Sequence, residues 1–302
     1  THTGVFRRVV RTVSRFANTI VLKGYGHPEL VTTENHPFYA SERARTYNSH
    51  RRGWNSCFSE PTWVFAKDMK RKYWATPVSF PQMDLPPISW EGREFENPPI
   101  TPDLMWLVGV WLGDGWVRMR KTKGRAIICA SYDQADILRS AIRAAGFDAS
   151  ESKERTVIKF HITRRAFARW LVEHFGQKAH GKTIPTWALG MSRELREALL
   201  MGYLFADGFP YKDGYKATTV SKPLAVGIKL LAQSLGWSVS LYRYQPNRTS
   251  VIEGRRVDER PQWQIVLRGE TRSAFIKNGN VFGLVRSVSP TGRKELVYDI
   301  TV

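Results

Sequence analysis

Two stretches of this chain share one pattern of apolar and small positions. Leu107-Val-Gly-Val-Trp-Leu-Gly-Asp-Gly115 returns as Leu200-Met-Gly-Tyr-Leu-Phe-Ala-Asp-Gly208. A small residue recurs every fourth place, at Gly109 and Gly113, then at Gly202 and Ala206. At helical spacing these fall on one face and let two backbones approach closely. Thr101 is placed to cap the first helix, with Pro102 at its first position and Asp103 in its first turn. Ser192 and Glu194 do the same for the second. Gly115 and Gly208 are expected to end the helices in the left-handed conformation.

The repeat extends beyond these runs. Residues 131–147 parallel residues 221–237, and both read as amphipathic helices ended by a glycine and an aromatic that opens a strand. Each half reads as helix, two strands, helix, two strands, helix. The strands alternate. Ile158, Phe160 and Ile162 face one way, and Lys159, His161 and Thr163 the other. Trp116, Arg118 and Arg120 alternate with Val117 and Met119. Trp237, Val239 and Leu241 alternate with Ser240, Tyr242 and Tyr244; Trp263, Ile265 and Leu267 alternate with Gln264 and Arg268. One face is expected to pack on helices, leaving a polar, basic and aromatic face free.

Both ends of the chain read as β-rich. Residues 5–13 and 19–23 look like two strands separated by a turn, followed by residues 30–39 and 63–69. Residues 83–102 hold five prolines and read as a linker. Residues 41–60 read as an inserted loop, with Arg43, Arg45, Arg51 and Arg52 among Tyr47 and Trp54.

Charge changes the picture. The 302 residues carry 46 basic against 27 acidic side chains, a net +19, which favours a polyanionic partner. Cys57 and Cys129 are the only cysteines, which excludes a disulfide framework and a four-thiolate zinc site and fits a reducing, intracellular location. No apolar run is long enough to span a membrane.

The chemistry lies in the two aspartates. A carboxylate at a helix C-terminus is disfavoured by about 0.3–1 kcal/mol, and two brought together repel. A divalent cation shared by carboxylates and phosphate oxygens relieves both. A single Asp-Gly is no more than a turn signal; the pair at the ends of two glycine-spaced apolar helices carries the argument.

These runs resemble the paired motifs of the LAGLIDADG homing endonucleases, single-chain type. The resemblance implies an α+β fold, a pseudo-two-fold αββαββα repeat whose antiparallel sheets form a saddle. It would cover residues 96–280, with repeat one at 101–190 and repeat two at 191–280. It implies that Asp114 and Asp207 are metal-binding catalytic acids. Leu112 and Phe205 stand where the motif often has another acid. The implied activity is an endodeoxyribonuclease, hydrolysing phosphodiester bonds of double-stranded DNA at a long site. Mg2+ or another divalent cation is implied, as is a monomer needing no protein partner. Gly181-Lys-Thr-Ile-Pro185 matches a segment of intein-borne members whose lysine is catalytic, which gives Lys182 the task of stabilising phosphate charge or positioning water. Lys277 is the nearest second-half counterpart. The free sheet faces then offer Arg118, Arg120, Lys159, His161, Tyr242, Tyr244, Gln264 and Arg268 to DNA. Arg51 and Arg52 are expected to add phosphate contacts.

Residues 1–95 with 281–302 resemble the Hint fold of inteins. Thr33-Glu-Asn-His36 matches the intein Thr-x-x-His element, and residues 297–302 resemble the strand before an intein C-terminus. Splicing needs a nucleophilic Cys or Ser at the first residue and a C-terminal His-Asn pair, and this chain supplies neither. Thr33 and His36 are therefore expected to be vestigial, with His36 structural. The alternatives to a nuclease are a non-cleaving nucleic-acid binder on the same fold, such as a maturase or regulator, and the remnant of a protein-splicing element.

Overall fold

The structure is a computed structural model. It describes residues 3, 5, 7–48, 50, 52–88, 99–121, 123–245, 249–252, 255–258, 261–269, 271 and 273–301, with main chain alone at 48, 53–56, 249–252 and 255–258.

In chain order, strands come first: β1 (Arg11–Gly24), β2 (Leu30–Thr33), β3 (Pro37–Ser41), β4 (Arg43–Asn48), β5 (Gly53–Phe58), β6 (Thr62–Phe65) and β7 (Tyr73–Pro77). Then follow α1 (Pro102–Asp114), β8 (Gly115–Met119), β9 (Gly124–Ser131), α2 (Ala135–Ala144), β10 (Ser150–Lys153), β11 (Val157–Ile162) and α3 (Arg165–Phe175). Two short helices, α4 (Lys178–Gly181) and α5 (Thr186–Leu189), lead to α6 (Arg193–Asp207), β12 (Gly208–Tyr211), β13 (Gly214–Thr219) and α7 (Lys222–Ser234). The chain closes with β14 (Ser238–Tyr244), β15 (Thr249–Ile252), β16 (Arg255–Asp258), β17 (Gln262–Arg268), β18 (Ala274–Lys277) and β19 (Asn280–Thr301).

Two compact units result. One contains Thr1–Pro81, Gly236–Tyr242 and Gly269–Val302; the other contains Gln82–Leu235 and Arg243–Arg268. The first is built on a mixed-length sheet ordered β2-β1-β19-β7-β3-β6, with β18 also on β19. Its core joins Ile20, Leu22, Phe38, Ala40, Ala66, Met69 and Val285. β1 is one strand, not two. Antiparallel pairing with β19 runs from Arg11↔Thr301 to Gly24↔Val285, broken only by bulges. A continuous ladder satisfies the backbone through Ser14–Asn18, so the polar residues there mark an exposed ribbon rather than a turn. Residues 41–60 are likewise not a loop. β4 and β5 form a hairpin pairing Arg43↔Phe58 through Asn48↔Gly53, seated by Ser41 Oγ donating to the Ser59 carbonyl at 2.8 Å. Thr33–His36 is the tight turn between β2 and β3, with His36 N–H donating to the Thr33 carbonyl at 3.2 Å.

In the second unit α1 is buried all round, through Leu104, Met105, Leu107, Val108, Val110, Trp111 and Leu112, as befits a helix packed on every side. This unit holds a sheet ordered β10-β11-β9-β8 and the run β17-β13-β12, in each of which the strand after α1 or α6 pairs with its hairpin partner. Thr101, Ser192 and Ser221 each cap a helix through a side-chain oxygen. The second half departs from the expected repeat. A β15–β16 hairpin separates β14 from β17, and β18 follows where a final helix was expected. The turn Asn278-Gly279, with φ of 50° and 68°, favours a tight hairpin and pairs Ala274–Lys277 with the start of β19.

Candidate active site and nucleic-acid face

α1 and α6 cross through their small residues. A Cβ on Gly109 would lie 2.3 Å from the Leu199 carbonyl oxygen, and one on Gly113 would lie 2.5 Å from Ala206 Cβ and 3.3 Å from the Asp207 carboxyl carbon. Any larger side chain would therefore hold the two helix ends apart. Each helix passes straight into a strand. Gly115 (φ −115°, ψ 161°) and Gly208 (φ −88°, ψ 146°) are extended, not left-handed. Their need for glycine is spatial, since a Cβ would meet Trp111 Cδ1 at 2.3 Å and the Leu204 carbonyl oxygen at 2.4 Å. Left-handed endings occur instead at Gly146 and Gly236, after α2 and α7.

This crossing brings Asp114 and Asp207 within electrostatic reach of each other. Asp207 is half-buried, and its pKa is pushed up to about 6, first by desolvation and then by Asp114, against the pull of Lys182 and Tyr203. Asp114 keeps an outer side open to solvent, yet desolvation still raises its pKa, with Lys182 opposing. Tyr203, four residues before Asp207, is buried where the first run has Val110. Burial first, then Asp207, raises the pKa of its hydroxyl, which in turn lowers that of the Asp207 carboxyl, though it falls short of full hydrogen-bond geometry. The sequence signal for Tyr203 was its place in the repeat, and it was overlooked.

Lys182 is 4% exposed. Its Nζ donates to the carbonyls of Trp111 (3.0 Å), Leu112 (2.9 Å) and Gly115 (2.7 Å), with that of Gly113 at 3.4 Å. Burial lowers its pKa to about 8, against the pull of Asp207 and Asp114. Gly176-Gln-Lys-Ala-His-Gly-Lys-Thr183 also spells the glycine-rich nucleotide phosphate loop, which needs a strand before it and a helix opening at the lysine. Here α3 precedes it and Lys182 is extended (φ −68°, ψ 147°), so the spelling is coincidental. Lys277 lies on β18 in the other unit, where its Nζ is 2.6 Å from Glu60 Oε1.

The outer face of the first sheet starts two residues after Asp114. Trp116, Arg118, Arg125, Cys129, Lys159 and His161 share it by register. Arg118 stands opposite Arg125. Desolvation, then Arg125, Arg118 and Lys159, lowers the His161 pKa, and Ser152 Oγ lies 2.9 Å from its Nε2. Lys159 lies over Trp116, 5.8 Å from the ring centroid, and is ion-paired with Glu154. Arg120 is exposed just past β8. Arg125 was legible from the alternation of β9 and was not singled out.

The second sheet repeats the layout with different chemistry. Phe209 faces Lys216, and Thr218 faces Gln264. Lys216 lies 5.8 Å from the Phe209 ring centroid. Arg268 is paired with Asp213 at 2.7 Å. Tyr242 and Tyr244 are exposed, but Ser238 and Ser240 are buried, so the face expected to be free is covered along the first half of β14. Arg52 is exposed in the β4–β5 turn with φ 45°; Arg51 lies outside the described residues. His36 is exposed and stacks edge-on to Phe38. Among the described residues no three His, Cys, Asp or Glu side chains cluster as a metal site, and no helix is long and apolar enough to cross a membrane.

No family model matches the chain. It is 24% identical over 292 residues to an ATP-dependent DNA helicase of Thermococcus kodakarensis, covering 80% of this chain and 26% of that protein. It is 25% identical over 240 residues to the homothallic switching endonuclease of Saccharomyces cerevisiae, covering 68% of this chain and 40% of that protein. The chain thus spans less than half the length of these curated relatives. Among solved structures, I-DmoI in complex with DNA and Mn superposes with a TM-score of 0.38 at 11% identity, over 56% of this chain and 90% of that chain.

Proposed function

We propose that this chain is a site-specific endonuclease that hydrolyses double-stranded DNA, with a divalent cation, Mg2+ or a substitute, held by Asp114 and Asp207. The observation that carries the reading is the crossing of α1 and α6. It brings two carboxylates within electrostatic reach of each other, buries both enough that desolvation raises their pKa, and leaves each at the start of a sheet. The donor set fits a hard cation: two carboxylate groups with mutual repulsion to relieve, and coordination left over for phosphate oxygens. Such a cation, when bound, would supply Lewis-acid stabilisation of charge on the scissile phosphate.

The chain's own residues account for the rest. Arg118 and Arg125, cations in direct cross-strand register, gain from a phosphate between or beside them, because like charges opposite one another destabilise a sheet. Gln264 and Thr218 on the second sheet offer donors and acceptors suited to base edges. The partial likeness to a switching endonuclease supports the same activity. In this reading the chain acts as a monomer and derives from an intein. Residues 1–95 with 281–302 are its Hint-like part, supported by the joining of both chain ends in one sheet, and residues 96–280 are its endonuclease part.

The test is cleavage of a randomised duplex library with and without Mg2+, followed by sequencing of the ends. One recurrent double-strand break that needs the cation, and is lost in Asp114→Asn, is expected. Tight, selective binding without any break would make the chain a non-cleaving DNA binder instead.

A further inference from the structure

Resting on that reading, we infer that Lys182 is a positioning residue for Asp114, and that the strap carrying it makes the first-half carboxylate depend on the second repeat. An ammonium has three N–H donors. Four main-chain carbonyls, those of Trp111, Leu112, Gly113 and Gly115, lie 2.7–3.4 Å from Lys182 Nζ, so no donor is left for a phosphate. The carbonyls of Leu112 and Gly113 are orphan acceptors at the end of α1, that of Trp111 also accepts the Gly115 N–H, and that of Gly115 is the first past the helix. They bracket Asp114 on both sides. The clamp therefore fixes the abrupt change from helix to strand on which that carboxylate sits.

The strap is itself held from the other half. Ser221, the N-cap of α7, donates its hydroxyl to the Lys182 carbonyl at 2.7 Å while accepting from Leu224 N–H at 3.2 Å. Gly227 of α7 leaves room for Ile184, whose Cβ would lie 2.6 Å from a Cβ added there. Thr183 N–H donates to the Phe175 carbonyl at 2.9 Å, tying the strap to the end of α3. A path of hydrogen bonds thus runs from α7 through Lys182 to the main chain on either side of Asp114.

A direct phosphate contact and a positioning clamp predict opposite signs. Deleting a cation beside two carboxylates should, by charge alone, tighten binding of another cation. Loss of the clamp should weaken it, because Asp114 is no longer held. Terbium(III) titration of the full chain without DNA reads this. For Lys182→Met about tenfold weaker binding is expected, with no further loss when the change is added to Asp114→Asn. Ser221→Ala, remote from the carboxylates, should weaken it in the same direction by a smaller factor. Amide hydrogen exchange gives an arm independent of metal. Exchange at Gly115 and Trp116 should rise at least tenfold in Lys182→Met, while Gly208 and Phe209 stay within twofold. Tighter terbium binding, or unchanged exchange at Gly115, overturns the clamp. Exchange that rises as expected in a protein that binds no terbium upholds the clamp and sinks the metal site alone.

Discussion

A Cβ on Gly202 would lie 1.9 Å from the carbonyl oxygen of Trp106. No rotamer can relieve a contact between a Cβ and a main-chain oxygen, so the backbones of α1 and α6 can cross this closely only with glycine at that position. Gly202→Ala should therefore destabilise the protein by about 3 kcal/mol, the upper range for overpacking. Gly181→Ala, where an added Cβ meets nothing within 4 Å, should change stability by less than ~0.5 kcal/mol. Urea titrations of both variants test this, and equal losses would show that the helices are not in tight contact.

Asp207 links that crossing to pH. Its folded pKa, about 6, lies above the ordinary 3.8. The folded state therefore binds the proton more tightly, and the stability this provides is fully present below pH 3.8 and is lost as pH rises through 6. At about 1.4 kcal/mol per unit the loss is at most about 3 kcal/mol. In EDTA, Asp207→Asn should raise the midpoint of thermal unfolding at pH 7.5 and leave it nearly unchanged at pH 3.5. The same substitution should abolish double-strand cleavage. A variant no more stable than wild type at pH 7.5 would contradict the burial of this carboxylate.

How much of this was legible depended on whether burial imposes a period. The crossing was written in Gly109, Gly113, Gly202 and Ala206, because only small residues allow it. The inward faces of β11 and β17 were legible because one side of each must be apolar. β1 was misread because its first half is a two-stranded ribbon exposed on both faces, so no alternation is required of Ser14 or Arg15. Gly115 and Gly208 were assigned the wrong conformation because sequence does not distinguish a glycine needed for φ from one needed for space. The burial of Lys182 was not legible, since its acceptors are main-chain oxygens that no side-chain pattern announces.

Tyr203 offers a test of how unequal the two carboxylates are. Its buried hydroxyl lacks a well-formed partner while lowering the pKa of Asp207. Tyr203→Phe removes a poorly satisfied polar group and should stabilise the protein by about 1 kcal/mol at pH 4. It should also move the pH at which Asp207 loses its proton upward. That titration can be followed by carboxyl-carbon NMR in EDTA. A downward move would mean that the hydroxyl is not acting on Asp207.

Arg118 and Arg125 face each other across β8 and β9, and together with Lys159 they hold the His161 pKa down. In the free protein this pair is a cost, because directly opposed like charges destabilise a sheet by about 0.2–1 kcal/mol. Replacing both by alanine should leave free-protein stability unchanged or slightly higher, and His161 should titrate at higher pH, still below its ordinary value because desolvation remains. On DNA the sign reverses. Two lost phosphate contacts should weaken binding to every sequence and reduce the slope of log K against log salt by about 2 units. The position of the break should not move, since Asp114 and Asp207 are untouched. Measuring binding of the double variant across salt concentrations, with the His161 ring titrated by NMR in the same protein, separates the effects. A His161 pKa that rises while the salt slope stays constant would leave the two arginines facing each other on the sheet but remove them from the DNA contact.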